Sequence, residues 1–258
     1  MLIIGEKLNS SIPSALAALK AGENEITGLL INQAEAGADY LDINTALFDN
    51  ETDRLIDAVK LAVKHTDKGI MPDSPDMRVI AAALEFTEGR AVIINSVSLS
   101  TDTSPLKGLD LRNTGVVAMP TDDDGLPETP EKRLINTQRL VDKLTAIGFT
   151  CDNIYADILI ETVAVNQSAA ITAIDTLKLI KSKLPGIKTV CGASNISFGL
   201  PRRKFINSAF VALAVYHGVD AMITDILNPD IKAAILSAQV LKGEDEYCMN
   251  YLEEFRRL

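Results

Sequence analysis

The chain has 258 residues, with 35 Asp and Glu against 25 Lys and Arg, for a formal charge of −10. That length suffices for one full hydrophobic core, and the acidity, with no basic cluster larger than Arg202, Arg203 and Lys204 or Arg256 and Arg257, argues against a nucleic-acid partner. No apolar run reaches the roughly 20 residues of a membrane helix, residues 1–5 are too short for a signal core, and Cys151, Cys191 and Cys248 form no CxxC pair, which fits a reducing, cytoplasmic setting.

Residues 2–4 read as a buried strand that ends in Gly5, Glu6, Lys7, Leu8 and Asn9. The spacing of Leu16, Leu19, Ile26, Leu29, Leu30 and Ala34 predicts one helix, stopped by Gly37. Residues 40–44 alternate as a second strand, with Leu41 and Ile43 on one face and Asp42 and Asn44 on the other. A helix carrying Leu55, Ile56, Val59 and Val63 follows. Strand three, 69–72, ends on Asp73 and Ser74, and Pro75 is placed as the first residue of the next helix with Ser74 as its cap. That helix covers 80–86, and strand four, 91–94, ends on Asn95 and Ser96.

From Val97 to Asn113 the apolar period is too weak for a full helix, and a long loop with one helical turn is expected. Residues 115–119 form strand five, 120–130 a loop rich in Asp and Pro, and Glu131 opens a helix with Leu134, Leu140, Val141 and Leu144 on its apolar side. Strand six, 153–156, stops at Asp157, and Ile171, Ile174, Leu177 and Ile180 mark the helix after it. Strand seven, 189–191, stops at Gly192 and runs into Ala193, Ser194, Asn195, Ile196 and Ser197 before a helix begins at Arg203. Strand eight, 221–224, leads to Asp225, residues 231–241 make the last outer helix, and 244–258 look like an added helical tail on a single domain spanning 1–258.

Eight strands alternating with helices, and no hairpin between them, predict an α/β fold of the closed (β/α)8 TIM-barrel type. The alternative, an open doubly wound sheet, usually carries a glycine-rich phosphate loop, and Gly5 has no GxGxxG around it. In a closed barrel Glu6, Asn9, Asp42, Asn44, Asp73, Asn95, Asp157, Asn195 and Asp225 gather at one mouth. Taken singly, such residues cap helices, and Ser194, Asn195 and Ser197 could do only that. Taken together, carboxylates and amides in excess of cations suit a ligand with many N–H donors, whereas a phosphate would call for cations or bare helix N-termini. A pterin fits: its 2-amino and N3–H edge offers two parallel donors to a carboxylate. His65 and His217 lie on separate predicted helices, so no metal site is expected.

The runs IGEKLN, GADYLDIN, MPDS, IINS, YADILI and above all GASNISFGLP resemble the pterin-binding methyltransferases that move a methyl group between tetrahydrofolate and a corrinoid protein. The folate domain of cobalamin-dependent methionine synthase is similar too. The resemblance covers nearly the whole chain. It implies that Asp73, Asn95, Asp157, Asn195 and Arg203 hold the pterin, with Glu6, Asp42, Asn44 and Ser197 supporting them and Asn195 acting on N5. It also implies tetrahydrofolate or 5-methyltetrahydrofolate as substrate, a separate corrinoid protein docking at the mouth, and a homodimer that buries outer positions such as Leu213 and Ile235. No corrinoid-binding DxHxxG sequence occurs in the chain itself.

Dihydropteroate synthase is the nearest rival, but enzymes of that kind carry an N-x-T-P-D-S-F loop after strand one, where this chain has EKLNSSIPS. A non-catalytic folate-binding subunit is a second alternative. A zinc-assisted thiol methylase is not supported, because the cysteine-rich zinc site it needs is missing.

Overall fold

The computed structural model describes residues 1–109, 111 and 114–256. Eight parallel strands, β1 (Leu2–Asn9), β2 (Tyr40–Asn44), β3 (Gly69–Asp73), β4 (Val92–Val97), β5 (Thr114–Ala118), β6 (Ile154–Asp157), β7 (Lys188–Gly192) and β8 (Ala221–Thr224), pair in sequence order and close as β8 returns to β1. The expected TIM barrel is therefore the fold, and its strand ends all open at one face.

Side chains alternate across each strand, so each strand feeds two apolar layers. Ile4, Met71, Ile93, Val117, Tyr155, Val190 and Ala221, one each from seven strands, meet inside the barrel and fill its floor. Outward residues such as Leu41, Ile43, Ile70, Ile94, Val116 and Met222 pack under the helices. With the floor filled, an internal space can exist only toward the carboxyl ends of the strands.

The outer helices are α1 (Pro13–Ala21), α2 (Glu23–Glu35), α3 (Glu51–His65), α4 (Met77–Leu84), α5 (Pro130–Ala146), α6 (Ala169–Lys183), α7 (Arg203–Tyr216), α8 (Pro229–Lys242) and α9 (Met249–Phe255). The single helix expected after β1 is thus two, broken at Gly22, whose φ of +119 no other residue adopts cheaply. The helix after β3 starts at Met77, not Pro75: Asp76 caps it by accepting from Arg78 N, while the Ser74 hydroxyl accepts instead from Asp76 N. Helix α5 starts one residue early because Pro130 occupies its first position behind the Thr129 cap.

As expected, no full helix follows β4 among the described residues. A 3-10 turn, Ser104–Leu106, takes its place, and Lys143 Nζ from α5 donates to the carbonyls of Ser98, Leu99 and Thr101 at 3.2, 3.1 and 2.6 Å. Asp110, Arg112 and Asn113 of that expected loop, and residues 257 and 258 of the helical tail, lie outside the described residues. Of the two outer positions expected in a dimer contact, Leu213 is half exposed, but Ile235 is buried within the chain's own core and cannot meet a partner. No described helix is long and apolar enough to cross a membrane.

Candidate active site

Strand β1 is longer than its apolar run predicts, and its pairing with β2 shifts between Gly5 and Leu8. The shift lies against one side chain from outside the sheet. Gln33, fully buried on α2, lies so close to Gly5 that a Cβ there would stand 2.5 Å from its Oε1, and that oxygen accepts the 2.8 Å hydrogen bond from Lys7 N. Such a bulge re-aims side chains, and Glu6 and Lys7, neighbours in sequence, both line the mouth.

The mouth holds a cavity of about 610 Å³. Asp42, Asp73, Asn95, Asp157 and Asn195 line it, together with Glu6, Asn9, Arg203 and Asp225, so nearly every residue expected at the mouth is there. Asn44 and Ser197 are the exceptions, and both lie one layer back. Asn44 and Asp73 are register partners on β2 and β3, as Asp73 and Asn95 are on β3 and β4. Asn44 Nδ2 donates to Asp73 Oδ2 at 3.0 Å, and Asn44 Oδ1 accepts from Ser10 Oγ at 2.8 Å. Asn95 Nδ2 donates to Asp42 Oδ1 at 3.3 Å.

These carboxyls hold their protons more tightly than free ones. Burial pushes Asp73 up to about 6, against the opposing hydrogen bond from Asn44. Asp42, almost fully enclosed, is raised well above the usual range by burial and by the Asp73 charge beside it. Burial also takes Asp157 to about 6, although Leu159 N donates to its Oδ1 at 2.8 Å and the Arg133 charge favours its ionised form. Glu6 is raised by burial, and the hydroxyl of Ser194, donating at 2.6 Å, opposes that rise. A ligand presenting N–H donors to these groups replaces the water they lose and favours their ionised forms.

Asn195 lies in the 3-10 turn Ala193–Ser197, exposed to the cavity, with no side-chain hydrogen bond to any described residue. It does not cap α7, whose N-cap is Arg202 in a left-handed conformation with no side-chain cap bond. Its backbone is nonetheless held. Arg203 Nη2 donates to Ser194 O at 2.6 Å and Arg203 Nε to Ser197 Oγ at 3.1 Å, while the buried Ser197 hydroxyl donates to Asn207 Oδ1 at 2.6 Å. Arg203 also lies 5.7 Å from the Phe198 ring centre. The amide of Asn195 is thus left free on a braced turn.

Residues 19–225 match the family model for pterin-binding enzymes. The chain belongs to that family. It is 30% identical over 270 aligned residues to a methylcorrinoid:tetrahydrofolate methyltransferase of Eubacterium limosum, covering 100% of this chain and 97% of that protein. It is also 30% identical over 241 residues to a methionine synthase of Mycobacterium tuberculosis, where the match covers 86% of this chain and only 20% of that longer protein. Among solved structures, a dihydropteroate synthase of Coxiella burnetii in complex with pteroic acid superposes with a TM-score of 0.69 at 21% identity, covering 94% of this chain and 92% of the other. A Xanthomonas albilineans dihydropteroate synthase with 4-aminobenzoic acid gives 0.70 at 16%, covering 95% and 93%. At such identities these likenesses speak for the fold alone.

Two features of this pterin-binding enzyme's site escaped the sequence. Lys7 pairs with Asp225 at 2.6 Å across the join of β1 and β8, because the bulge turns it inward. Arg133, on α5, is completely buried behind the Asp157 loop. Extending the stripe of Leu140, Val141 and Leu144 back by one and two turns lands on Asn136, Thr137 and Arg133, all buried, so the helical period marked the inner face even where the residues are polar.

Proposed function

We propose that this protein transfers a methyl group between N5 of tetrahydrofolate and the cobalt of a corrinoid carried by a separate protein. The observation that carries the proposal is the cavity wall: Asp73, Asn95 and Asp157 stand around one space with the unengaged amide of Asn195 at its mouth. The whole-length similarity to a methylcorrinoid:tetrahydrofolate methyltransferase supports it, as does the absence of an N-x-T-P-D-S-F loop after β1.

The residues fit a pterin. Ionised Asp157 accepts from the 2-amino and N3–H groups, Asp73 and Asn95 engage the remaining ring edge, and Met119, Leu159 and Ile160 flank the flat ring. When the methyl leaves, N5 takes up a proton that comes from water, the carbon–nitrogen bond breaks with its electron pair kept by N5, and the methyl passes as a cation equivalent to the electron pair of the reduced Co(I) corrinoid, which becomes methyl-Co(III). The Asn195 amide donates to N5 as the electron pair appears there. In reverse it turns away and leaves that pair free to attack, so one site serves both directions. Carboxyls half-titrated near pH 6 leave Asp157 ionised at neutral pH, ready for the ring donors. The corrinoid protein docks over the mouth, where Phe198, Leu126 and Phe205 are exposed.

We infer also that two copies pair through the outer helices, since Leu213 and Tyr216 of α7 and Leu241 of α8 stay exposed. Light scattering at low micromolar concentration is expected to give twice the chain mass. A single-chain mass would refute the pairing.

Single-turnover mixing of enzyme, 5-methyltetrahydrofolate and reduced free cobalamin tests the transfer. Formation of methylcobalamin at a rate proportional to enzyme is expected. Folate binding with no transfer would favour a non-catalytic subunit, and condensation of a pterin pyrophosphate with 4-aminobenzoate would favour a dihydropteroate synthase.

A further inference from the structure

Arg133 is a costly residue to bury. Its guanidinium, with no exposed surface, meets one carboxylate, Glu161, at 3.3 Å from Nη2, and that carboxylate is itself partly open to water. An apolar side chain of similar volume would pack α5 to the barrel without the desolvation. What an apolar side chain lacks is the rigid fork of donors. Nε donates to Pro127 O at 2.9 Å, and Nη1 donates to Ile158 O at 2.9 Å and Leu159 O at 2.7 Å. Every side-chain partner therefore belongs to one of two loops, the one after β5 and the one after β6, and none to its own helix.

Both loops shape the cavity. Leu126, beside Pro127, and Leu159 with Ile160 are part of its wall. Leu159 is held at φ +54, a conformation a branched L-residue seldom adopts, and in that pose its N–H reaches Asp157 Oδ1 at 2.8 Å. The same loop then braces the next one: Thr162 Oγ1 donates to Phe198 O at 2.7 Å, and Val163 N donates to Ile196 O at 2.9 Å. Ile196 follows Asn195 directly, and Phe198 closes the same turn three positions after Asn195. A connected path thus runs from Arg133 through the 158–163 segment to the carboxylate on one side and the turn of Asn195 on the other.

We propose that Arg133 is a positioning residue, which holds the loops after β5 and β6 in one arrangement and thereby aims Asp157, and the turn carrying Asn195, at the ligand. It acts on Asp157 in two ways that can be separated. The fork sets where the carboxylate stands, and the charge favours its ionised form. The other groups facing Asp157 leave that second effect readable: Cys191 on β7 is kept neutral by burial, Glu161 sits on the same loop, and Asp42, Asp73 and Glu6 stand on other strands around the cavity.

Arg133→Lys keeps the charge and loses the fork, whereas Arg133→Met loses both. Carboxyl carbon NMR of the unliganded protein, amide exchange over 158–163, and calorimetry with tetrahydrofolate at pH about 6 and about 8 read the two apart. In R133M the Asp157 titration is expected to move up, with an affinity deficit larger at the lower pH. In R133K the titration should stay near that of the wild type, while affinity falls roughly 10-fold or more at both pH values and exchange over 158–163 quickens. A merely structural residue would lower the melting temperature in R133K while leaving exchange over 158–163 and tetrahydrofolate affinity at the wild-type level. Folded variants with wild-type titration, exchange and affinity would overturn the proposal, and if R133M does not fold, wild-type exchange and affinity in R133K would overturn it alone. The calorimetric arm rests on Asp157 being a pterin ligand. Wild-type enzyme that binds no tetrahydrofolate would refute that reading and leave titration and exchange to decide on Arg133.

Discussion

The Ser194 hydroxyl donates a 2.6 Å hydrogen bond to Glu6 Oε1, which ties the loop after β7 to the bulged end of β1. On its other side the same loop is gripped by Arg203, through Ser194 O and Ser197 Oγ. Asn195 sits between these two anchors with its own amide unbonded to the protein. A fixed backbone with a free side chain is what a group needs if it is to answer a charge that appears only during reaction.

Asn195→Ala is accordingly expected to lower the single-turnover rate of methyl transfer by roughly 10²–10³ while changing tetrahydrofolate affinity little. Because Asn195 caps no helix, the melting temperature should not change. A variant that transfers methyl at the wild-type rate would remove Asn195 from the chemistry.

Asp157→Ala should act on affinity first. Two ring donors would be left buried and unpaired, a loss of about 1–3 kcal/mol, or roughly 5- to 150-fold in Kd. Calorimetry at neutral pH checks this, and unchanged affinity would place the pterin elsewhere in the cavity.

The raised carboxyl of Asp157 also makes a prediction about stability. Its proton is bound more tightly in the folded chain, near 6, than in the unfolded one, near 3.8, so the folded state carries the extra proton between those values. Stability from this group is therefore full below about pH 4 and declines as pH rises through about 6. Asp157→Asn removes the decline. The variant should melt higher than the wild type at pH about 7.5, by roughly 6–12 °C for a gain on the order of 3 kcal/mol, and level with it near pH 4. A variant that gains nothing at the higher pH would show that the carboxylate is not strained by its surroundings.

Ser197→Ala tests the brace. The hydroxyl is fully buried, donating to Asn207 and accepting from the solvent-exposed Arg203, so its loss leaves the Asn207 amide oxygen without a partner, at about 1–3 kcal/mol. A lower melting temperature with a reduced transfer rate is expected, and a lower melting temperature alone would separate the brace from the chemistry.

The barrel and most of its mouth were legible because the apolar run of each strand gives way to polar residues toward its carboxyl end. Asp73, Asn95, Asp157 and Asp225 each follow an apolar run, and in a closed parallel sheet a shared end is a shared place. The missing helix after β4 was legible for the opposite reason, since Ser, Thr, Asp and Pro between Val97 and Leu106 leave no apolar face to bury. The break at Gly22 was not, because the apolar spacing runs on through it: Leu19 and Ile26, both buried, lie two turns apart as though on one helix. The bulge of β1 depends on Gln33, distant in sequence and polar, so nothing local announces it. Arg133 stayed hidden because a charged residue carries no mark of an inner face, and the half-buried Leu134 beside it supplies an apolar position in the same turn of α5.

The cavity draws its wall from the whole ring of the barrel: Glu6 from β1, Asp42, Asp73 and Asn95 from the next three strands, Met119 just past β5, Asp157 and Gly192 from β6 and β7, and Ile223 from β8. An occupant therefore works as a removable cross-link between the first strand of the chain and the last. Its binding energy is shared among all the strands, so no one of them can peel away without giving it up. Protection against proteolysis should then spread evenly around the ring instead of gathering at one loop, and the enzyme filled with substrate should come apart as one piece.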